Sequence, residues 1–449
     1  MKNISLLSSL LLFVGVTFGQ TDTTTVFDLE QCIQYAFDHQ QDVQNAELDV
    51  KTAQYQKKEA IGAGLPQVYA TMQTVDNIAL QQQYLPANAF NPAAPEDQIE
   101  AVGFGVDKTN NISMTASQLL FDGSYIAGVK ASRVYVELFK KSKVQTKVDV
   151  VENISKAYFG VLVSGERVKI LERDSETLED LIDETRIRFQ NGVVEEIDVQ
   201  RLEVQLNNIY VQLENMRAFE EISFKVLKFQ MGMEVDAPLT ITGDLETLFK
   251  ERAAQQLPGS DPKYRIEYQV LKASKQVDDI NVSYNQGQGL PRLSVFGTVG
   301  YNTGANKTAD LFNAGKYSDY AMVGLQLDVP IFQGFSKNSR VSQAKIASQK
   351  KSQDMAKFEM SVGLEVAQAK TNYEFSLKQI EFQQSNIELA ENVKNTTEVK
   401  YREGVGTNYE VNAAVSDYLD AQANYFVAIY DAMIAHIELQ KALGVLYSE

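Results

Sequence analysis

The stretch RFQNGVVEEIDVQ, Arg188–Gln200, returns in altered form as KYREGVGTNYEV, Lys400–Val411. The two align without a gap: Phe189 falls on Tyr401, Gly192 on Gly404, Val193 on Val405 and Asp198-Val199 on Glu410-Val411. Further on, Leu227 falls on Leu439 and Gly232 on Gly444. In each copy a helical run stops at a glycine, which tolerates the left-handed backbone that ends a helix, and polar residues then restart one. The unit is an antiparallel helical hairpin present twice, and so long a period points to duplication rather than to a short-repeat solenoid. In the first returning helix, Leu202, Leu206, Ile209, Leu213 and Met216 recur at alternating spacings of four and three, the heptad seam of a coiled coil. The second copy keeps the positions as Ala414, Tyr418, Ala421, Tyr425 and Ala428, where small residues between tyrosines let helices approach closely.

Upstream of each hairpin the period changes. The pattern predicts a helix from Asp28 to about Ala63, with Leu29, Ile33 and Ala36 on one face, ended by Leu65-Pro66 because proline removes a donor and disfavours helix before it. Val68, Ala70 and Met72 then alternate with polar residues, and Ile112, Met114 and Ala116 do the same after a polar stretch, Asp76 to Asn110, that reads as a loop. The second half repeats this: a helix from about Lys263 to Asn285, Leu290-Pro291, then Leu293, Val295, Gly297, Val299 and Tyr301 on one strand face. A loop at Asn302 to Asp319 leads to Ala321, Val323, Leu325, Leu327 and Val329 on the next. Each half is therefore helix, strand, loop, strand, very long helix, Gly turn and returning helix. The expected division is a first repeat at 20–232 with strand, loop and strand at about 66–121, a linker at 233–262, and a second repeat at 263–449 with strand, loop and strand at about 291–332. No proline interrupts Glu96 to Ala237 or Ile331 to the C-terminus. The segment Ser124 to Arg188, as helix, spans on the order of 100 Å, several times the thickness of a bilayer.

The 449 residues carry a net charge of −17, which argues against a nucleic-acid partner because no basic surface neutralises phosphates. Cys32 stands alone, so no intrachain disulfide forms, and His39 and His436 are the two histidines. No HExxH, phosphate-binding Gly-Lys-Ser/Thr loop or GxSxG is present, so neither a catalytic, cofactor nor metal site is expected. Residues 1–19 read as a secretory signal: Lys2, an apolar run through Leu11, Leu12 and Phe13, then small residues before Gln20. No later stretch has the apolar length of a spanning helix, so any membrane crossing uses strands. Four amphipathic strands cannot close a barrel alone, and open edges are forbidden in lipid, so the chain must pool strands with copies of itself. The rival reading is a secreted periplasmic coiled-coil structural or adaptor protein, which suits the hairpins but leaves four alternating strands unexplained.

The doubled plan, the LPQV and LPRL strand starts, the FDG and FQG strand ends, the two Gly turns and the closing ALG resemble the outer membrane factor family, the TolC-like outer membrane efflux proteins. The resemblance covers essentially the whole mature chain. It implies a mainly α fold with a membrane β-barrel portion: long coiled-coil helices forming a periplasmic α-barrel, and four strands per protomer in a shared twelve-stranded barrel of a homotrimer. It further implies an outer-membrane location in a Gram-negative bacterium with most of the chain in the periplasm. The implied role is that of an exit duct for efflux or type I secretion, docking onto a periplasmic adaptor (membrane fusion protein) and an inner-membrane transporter of RND or ABC type. Carried over residue by residue, Asn191, Gly192 and Val193 with Gly404, Val405, Gly406 and Thr407 would be the periplasmic tip that meets the adaptor. The loops at Asp76 to Asn110 and Asn302 to Asp319 would face outside, and 233–262 would belong to a belt around the tunnel. Asp198 and Tyr401 fall at the places of a linking Asp and Tyr, and Glu410 at an inward acid, so these three are the expected gate. Two positions depart from the pattern: Ala413 replaces a second inward acid and Gly406 an arginine link. Thr407-x-x-Glu410 reads equally as a capping box, and Asp198 equally suits a helix start.

Overall fold

The computed structural model describes residues 26–447 apart from 91, 94, 96, 254–258 and 260; the expected signal segment 1–19 lies outside them. In chain order the elements are β1 (Val26–Phe27), α1 (Leu29–His39), α2 (Gln41–Gly62), β2 (Gln67–Asp76), β3 (Gln82–Pro86), β4 (Ile99–Gly103), β5 (Lys108–Phe121), α3 (Gly123–Gln190) and α4 (Glu196–Met231). After them come β6 (Thr240–Ile241), α5 (Leu245–Ala253), α6 (Ile266–Gly287), β7 (Arg292–Ala305), β8 (Ser318–Asp328), α7 (Ser336–Arg402) and α8 (Asn408–Leu443). The duplication is visible in the lengths. Helices α3 and α7 have 68 and 67 residues, α4 and α8 36 each, and α2 and α6 22 each.

The chain forms two compact units. One holds the sheet and comprises Gln41–Asp149, Leu257–Asn372 and the residues from Glu438 on. Its four strands are antiparallel in the order β2-β5-β7-β8, so β2 and β8 are open edges. The register carries the main consequence. Val68 pairs with Ala116, Ala116 with Gly297 and Gly297 with Val323; Met72 pairs with Ile112 and Ile112 with Tyr301. Paired residues share a face, so the register gathers all four apolar alternations onto one side of the sheet. The other side carries Tyr69, Thr71, Ser113, Thr115, Thr298 and Gln326. Val68, Met72, Val299, Val323, Leu325 and Leu327 are all exposed in the single chain.

Two expectations need correction in this unit and at its border. The segment Asp76 to Asn110 is more than a loop: β3 and β4 form a hairpin with five pairs, Gln82↔Gly103 to Pro86↔Ile99. Its polar, proline-bearing sequence hides the alternation, and Pro86 is tolerated because it ends an edge strand. The helix expected from Asp28 to Ala63 is two, parted at Gln40, whose backbone is extended (ψ 131°). Elsewhere Arg265, just before α6, is buried against Glu267 at 2.9 Å and Glu365 at 2.7 Å, and it donates to the Ala442 carbonyl.

The second unit holds the residues up to Gln40, Val150–Gln256 and Tyr373–Ile437. Strand β1 pairs in parallel with β6, Val26↔Thr240 and Phe27↔Ile241, and the Tyr158 hydroxyl donates to the Thr242 carbonyl beside them. The heptad seam is the core of the hairpins: Leu202, Ile209 and Leu213 are buried with Leu171, Leu178, Leu181 and Ile182 of α3 and with Val411 and Val415 of α8. Ala414, Ala421 and Ala428 are buried on α8 as their spacing predicts. Among the described residues no helix is long and apolar enough to cross a membrane, and no cluster of three metal-ligating side chains exists.

Candidate functional site

The two turns close on the same pair of hydrogen bonds, and the second adds one from the Gly406 amide to the Lys400 carbonyl at 3.0 Å. At the first, Gly192 (φ 71°) donates to the Phe189 carbonyl at 2.9 Å and Val193 to that of Arg188 at 2.9 Å. At the second, Gly404 (φ 74°) donates to the Tyr401 carbonyl at 3.1 Å and Val405 to that of Lys400 at 3.0 Å. In both, the glycine takes the left-handed step that lets a following amide satisfy the last free carbonyls of the helix. Asn191, Gly192, Val193, Gly404, Val405 and Thr407 are exposed, and Val193 and Val405 project as apolar tips. Gly406 has a separate reason to be glycine. A Cβ there would lie 2.9 Å from the Tyr401 amide nitrogen and 3.1 Å from the Lys400 carbonyl carbon. The turn has no room for the arginine that the resemblance puts in this place.

The returning helices start on the acids singled out from sequence. Asp198 accepts from the Glu195 amide at 3.3 Å. Glu410 accepts from the Thr407 amide at 2.9 Å, and the Glu410 amide donates to Thr407 Oγ1 at 3.3 Å, a complete capping box. The hydrogen bond from the Thr407 amide, and after it that with the Thr407 hydroxyl, hold the Glu410 carboxyl below the usual carboxylate range. Ala413 is exposed. Tyr401 is a core residue, 5% exposed and packed with the seam, and its hydroxyl has no hydrogen-bond partner. No hydrogen bond joins it to Asp198.

What ties the two turns together is a set that sequence reading missed. Arg188, at the end of α3, donates through Nη1 to the Tyr401 carbonyl at 2.9 Å and through Nη2 to the Arg402 carbonyl. It thereby caps the open carbonyl end of α7, while its guanidinium lies 5.7 Å from the Tyr401 ring centroid. Asn408 answers from the other side, its Nδ2 donating to the Asp198 carbonyl at 2.5 Å. Glu184 pairs with Arg402 at 3.1 Å and lies 3.9 Å from Arg188. Apart from the local Glu184–Arg188 pair, these contacts join residues more than two hundred positions apart in the chain. The signal available in sequence was that Arg188 and Lys400 occupy equivalent places as cations in the last turn of a helix, which also suits an ordinary helix end.

The outer membrane efflux protein family matches residues 32–219 and 268–445, one segment in each half. The chain belongs to this family. It is an outer membrane protein of a Gram-negative cell, and its fold is that of the family's channels. The outer membrane protein TolC of Vibrio cholerae is 23% identical over 304 residues, 67% of this chain and 69% of that protein. The alkaline protease secretion protein AprF of Pseudomonas aeruginosa is 22% identical over 346 residues, 74% of this chain and 69% of that one. The open-state structure of the Neisseria gonorrhoeae MtrE outer membrane channel superposes with a TM-score of 0.71 at 15% identity, covering 93% of this chain and 88% of that one. The efflux protein thus keeps the family's backbone plan at low sequence identity.

Proposed function

We propose that the chain is one third of a homotrimeric export duct, which takes cargo from an inner-membrane transporter of RND or ABC type through a periplasmic adaptor and releases it outside the cell. The sheet register carries this reading: one face whose middle is a continuous apolar band suits contact with lipid, and the open β2 and β8 edges suit closure with copies of the same sheet. The duct performs no bond chemistry of its own. The exposed turns at Asn191 to Val193 and Gly404 to Thr407 form the periplasmic tip that meets the adaptor. The segment 233–262, whose strand β6 pairs with β1, belongs to a belt around the tunnel.

The gate lies where the two hairpins are joined. Asp198 and Glu410 ring its mouth as first-turn acids, and Tyr401 sits beneath as a packed support. Opening the tip requires α7 and α8 to part from α3 and α4, and the Arg188 and Asn408 contacts oppose that. The test of the whole reading is the native mass of protein extracted from outer membranes in mild detergent, corrected for bound detergent. A mass of three chains supports the duct. A stable single chain in detergent would overturn the shared-barrel duct.

A further inference from the structure

The unit that holds the sheet also holds an open cavity of about 590 Å³, bounded by α2, α3, the start of α6 and the C-terminal residues after α8. A void of this size accommodates a drug-sized molecule. Its lining is unusual for a chain of net charge −17: Lys140, Lys141, Lys143 and Lys441 face it. Three of these are half-buried, so their charges are held partly out of water. The two lining carboxylates are already engaged, Glu137 by Lys140 at 2.9 Å and Glu267 by Arg265 at 2.9 Å. Lys141 donates instead to the neutral amide oxygen of Gln269 at 2.8 Å, which leaves its charge without a counter-ion there. The rest of the wall is apolar or aromatic. Val144 and Val148 continue the α3 face one and two turns beyond Lys141, and Tyr264 and Tyr447 complete the wall, the Tyr447 ring lying 5.7 Å from Lys147 Nζ.

We propose that this cavity binds a small organic anion that combines a carboxylate or sulfonate with a flat apolar body. The anionic group sits at Lys141; its neighbours Lys140, Lys143 and Lys441 are each paired with a carboxylate, Glu137 at 2.9 Å, Glu47 at 3.5 Å and Asp149 at 2.8 Å, so Lys141 is the cation that the ligand neutralises. The apolar body lies over Val144 and Val148 between the tyrosines. Lys141 stands roughly 18 residues into a helix that begins at the end of β5, about 27 Å along its axis. A lipid headgroup at the membrane surface does not reach that far, so the ligand is a soluble periplasmic molecule.

The test uses the full-length protein in mild detergent, with 2-naphthoate as the probe and 2-naphthalenemethanol as its neutral counterpart, followed by titration calorimetry. Saturable binding of naphthoate, one per chain and weakened by added salt, with no such binding of the alcohol, is the expected result. Lys141→Gln is expected to weaken it roughly tenfold or more, since a charge-assisted hydrogen bond is lost, and Lys141→Arg to retain it. Val144→Phe, which fills the apolar side, is expected to abolish it while the native mass and helix content stay unchanged. Equal uptake of the two probes, naphthoate binding indifferent to Lys141→Gln, or no binding at all would each overturn the proposal. Displacement of naphthoate by an equal concentration of inorganic phosphate would overturn the organic part of it, because the apolar wall would then contribute nothing.

Discussion

The two outgoing helices, α3 and α7, are nearly equal in length and are used in opposite ways. Along α3 the large side chains find partners within the chain: Ile154, Tyr158 and Phe159 are all buried. Along α7, Leu364, Phe375, Phe382 and Leu389 face outward. The contrast holds at equivalent places, since Val163 of α3 is 9% exposed and its counterpart Phe375 is 67% exposed. A monomer that ended its life as a monomer would not keep such a stripe in water. Duplication preserved the backbone plan. The side chains then diverged, so that the middle of α3 is packed within the chain while α7 keeps a row of large apolar side chains exposed.

The strongest way to break this contrast is to charge each face in turn. Phe375→Lys with Phe382→Lys is expected to abolish the trimer, read as a native mass of one chain, while far-ultraviolet dichroism keeps its helical signal. Phe159→Lys on α3 is expected to damage the fold itself, by more than the ~3–5 kcal/mol typical of truncating a buried aromatic, because it also buries a charge. Survival of the trimer in the α7 variant would mean that the exposed stripe is not an interface.

A second test exchanges one residue between the repeats. His436 of α8 stands where the first copy has Phe224, and it is 2% exposed with neither ring nitrogen hydrogen-bonded. Burial first, and the charge of Arg252 second, push its pKa from 6.5 down to about 4. As pH falls, the unfolded chain therefore takes up the proton first. The stability due to the neutral ring is complete above about pH 6.5 and is lost progressively toward pH 4. By pH 5 the loss is on the order of 2 kcal/mol per chain. His436→Phe is expected to flatten the melting temperature between pH 7.5 and 5, and an unchanged acid dependence would place its origin elsewhere.

Smaller effects separate the ends of the returning helices. Gly232 and Gly444 have the same left-handed φ, 72° and 75°, but different neighbours. A Cβ at Gly232 would strike the backbone of His39 and Gln40 at 2.7 to 2.9 Å, whereas at Gly444 it would meet a side-chain atom, Arg265 Cγ, at 3.0 Å. Ala at Gly444 is expected to lower stability by at least about 1 kcal/mol, from its φ and the close Arg265 contact, and Ala at Gly232 by distinctly more, in urea melts of both variants. A comparably small stability change, about 1 kcal/mol, is expected for Arg188→Ala, yet single-channel conductance in a planar bilayer should rise as the capping of α7 is lost. Arg188→Lys, which imitates the second copy's Lys400, is expected to restore it in part, since an ammonium does not reproduce a forked contact to two carbonyls. Conductance unchanged in Arg188→Ala would remove Arg188 from the gate.

The elements that could be read in sequence are those whose cause is local or periodic. The glycine turns, the heptad seam and the four alternating strands each repeat their own signature, and each repeats it twice. Gln40 breaks the first helix for a reason no window of sequence holds: the turn at Gly232 is packed directly on its backbone. The β3–β4 hairpin was hidden because its strands hardly alternate. At the tip, the acids of the returning helices were legible as helix starts, while the Arg188 and Asn408 contacts were not, because they join the two repeats through main-chain carbonyls that any residue supplies. Tyr401 shows the reverse case. Its identity suggested a polar link, and its place in the seam makes it a packing residue within the chain.

The open edges of β2 and β8 have a genetic consequence. A barrel that takes one sheet from each of three chains has no spare strand, so a chain with a damaged edge spoils every ring it enters. If defective and intact chains are made in equal amounts and mix freely, roughly one ring in eight is wholly intact. An edge-blocking proline in β8 should therefore be dominant over the normal copy, whereas a chain that never folds should be recessive.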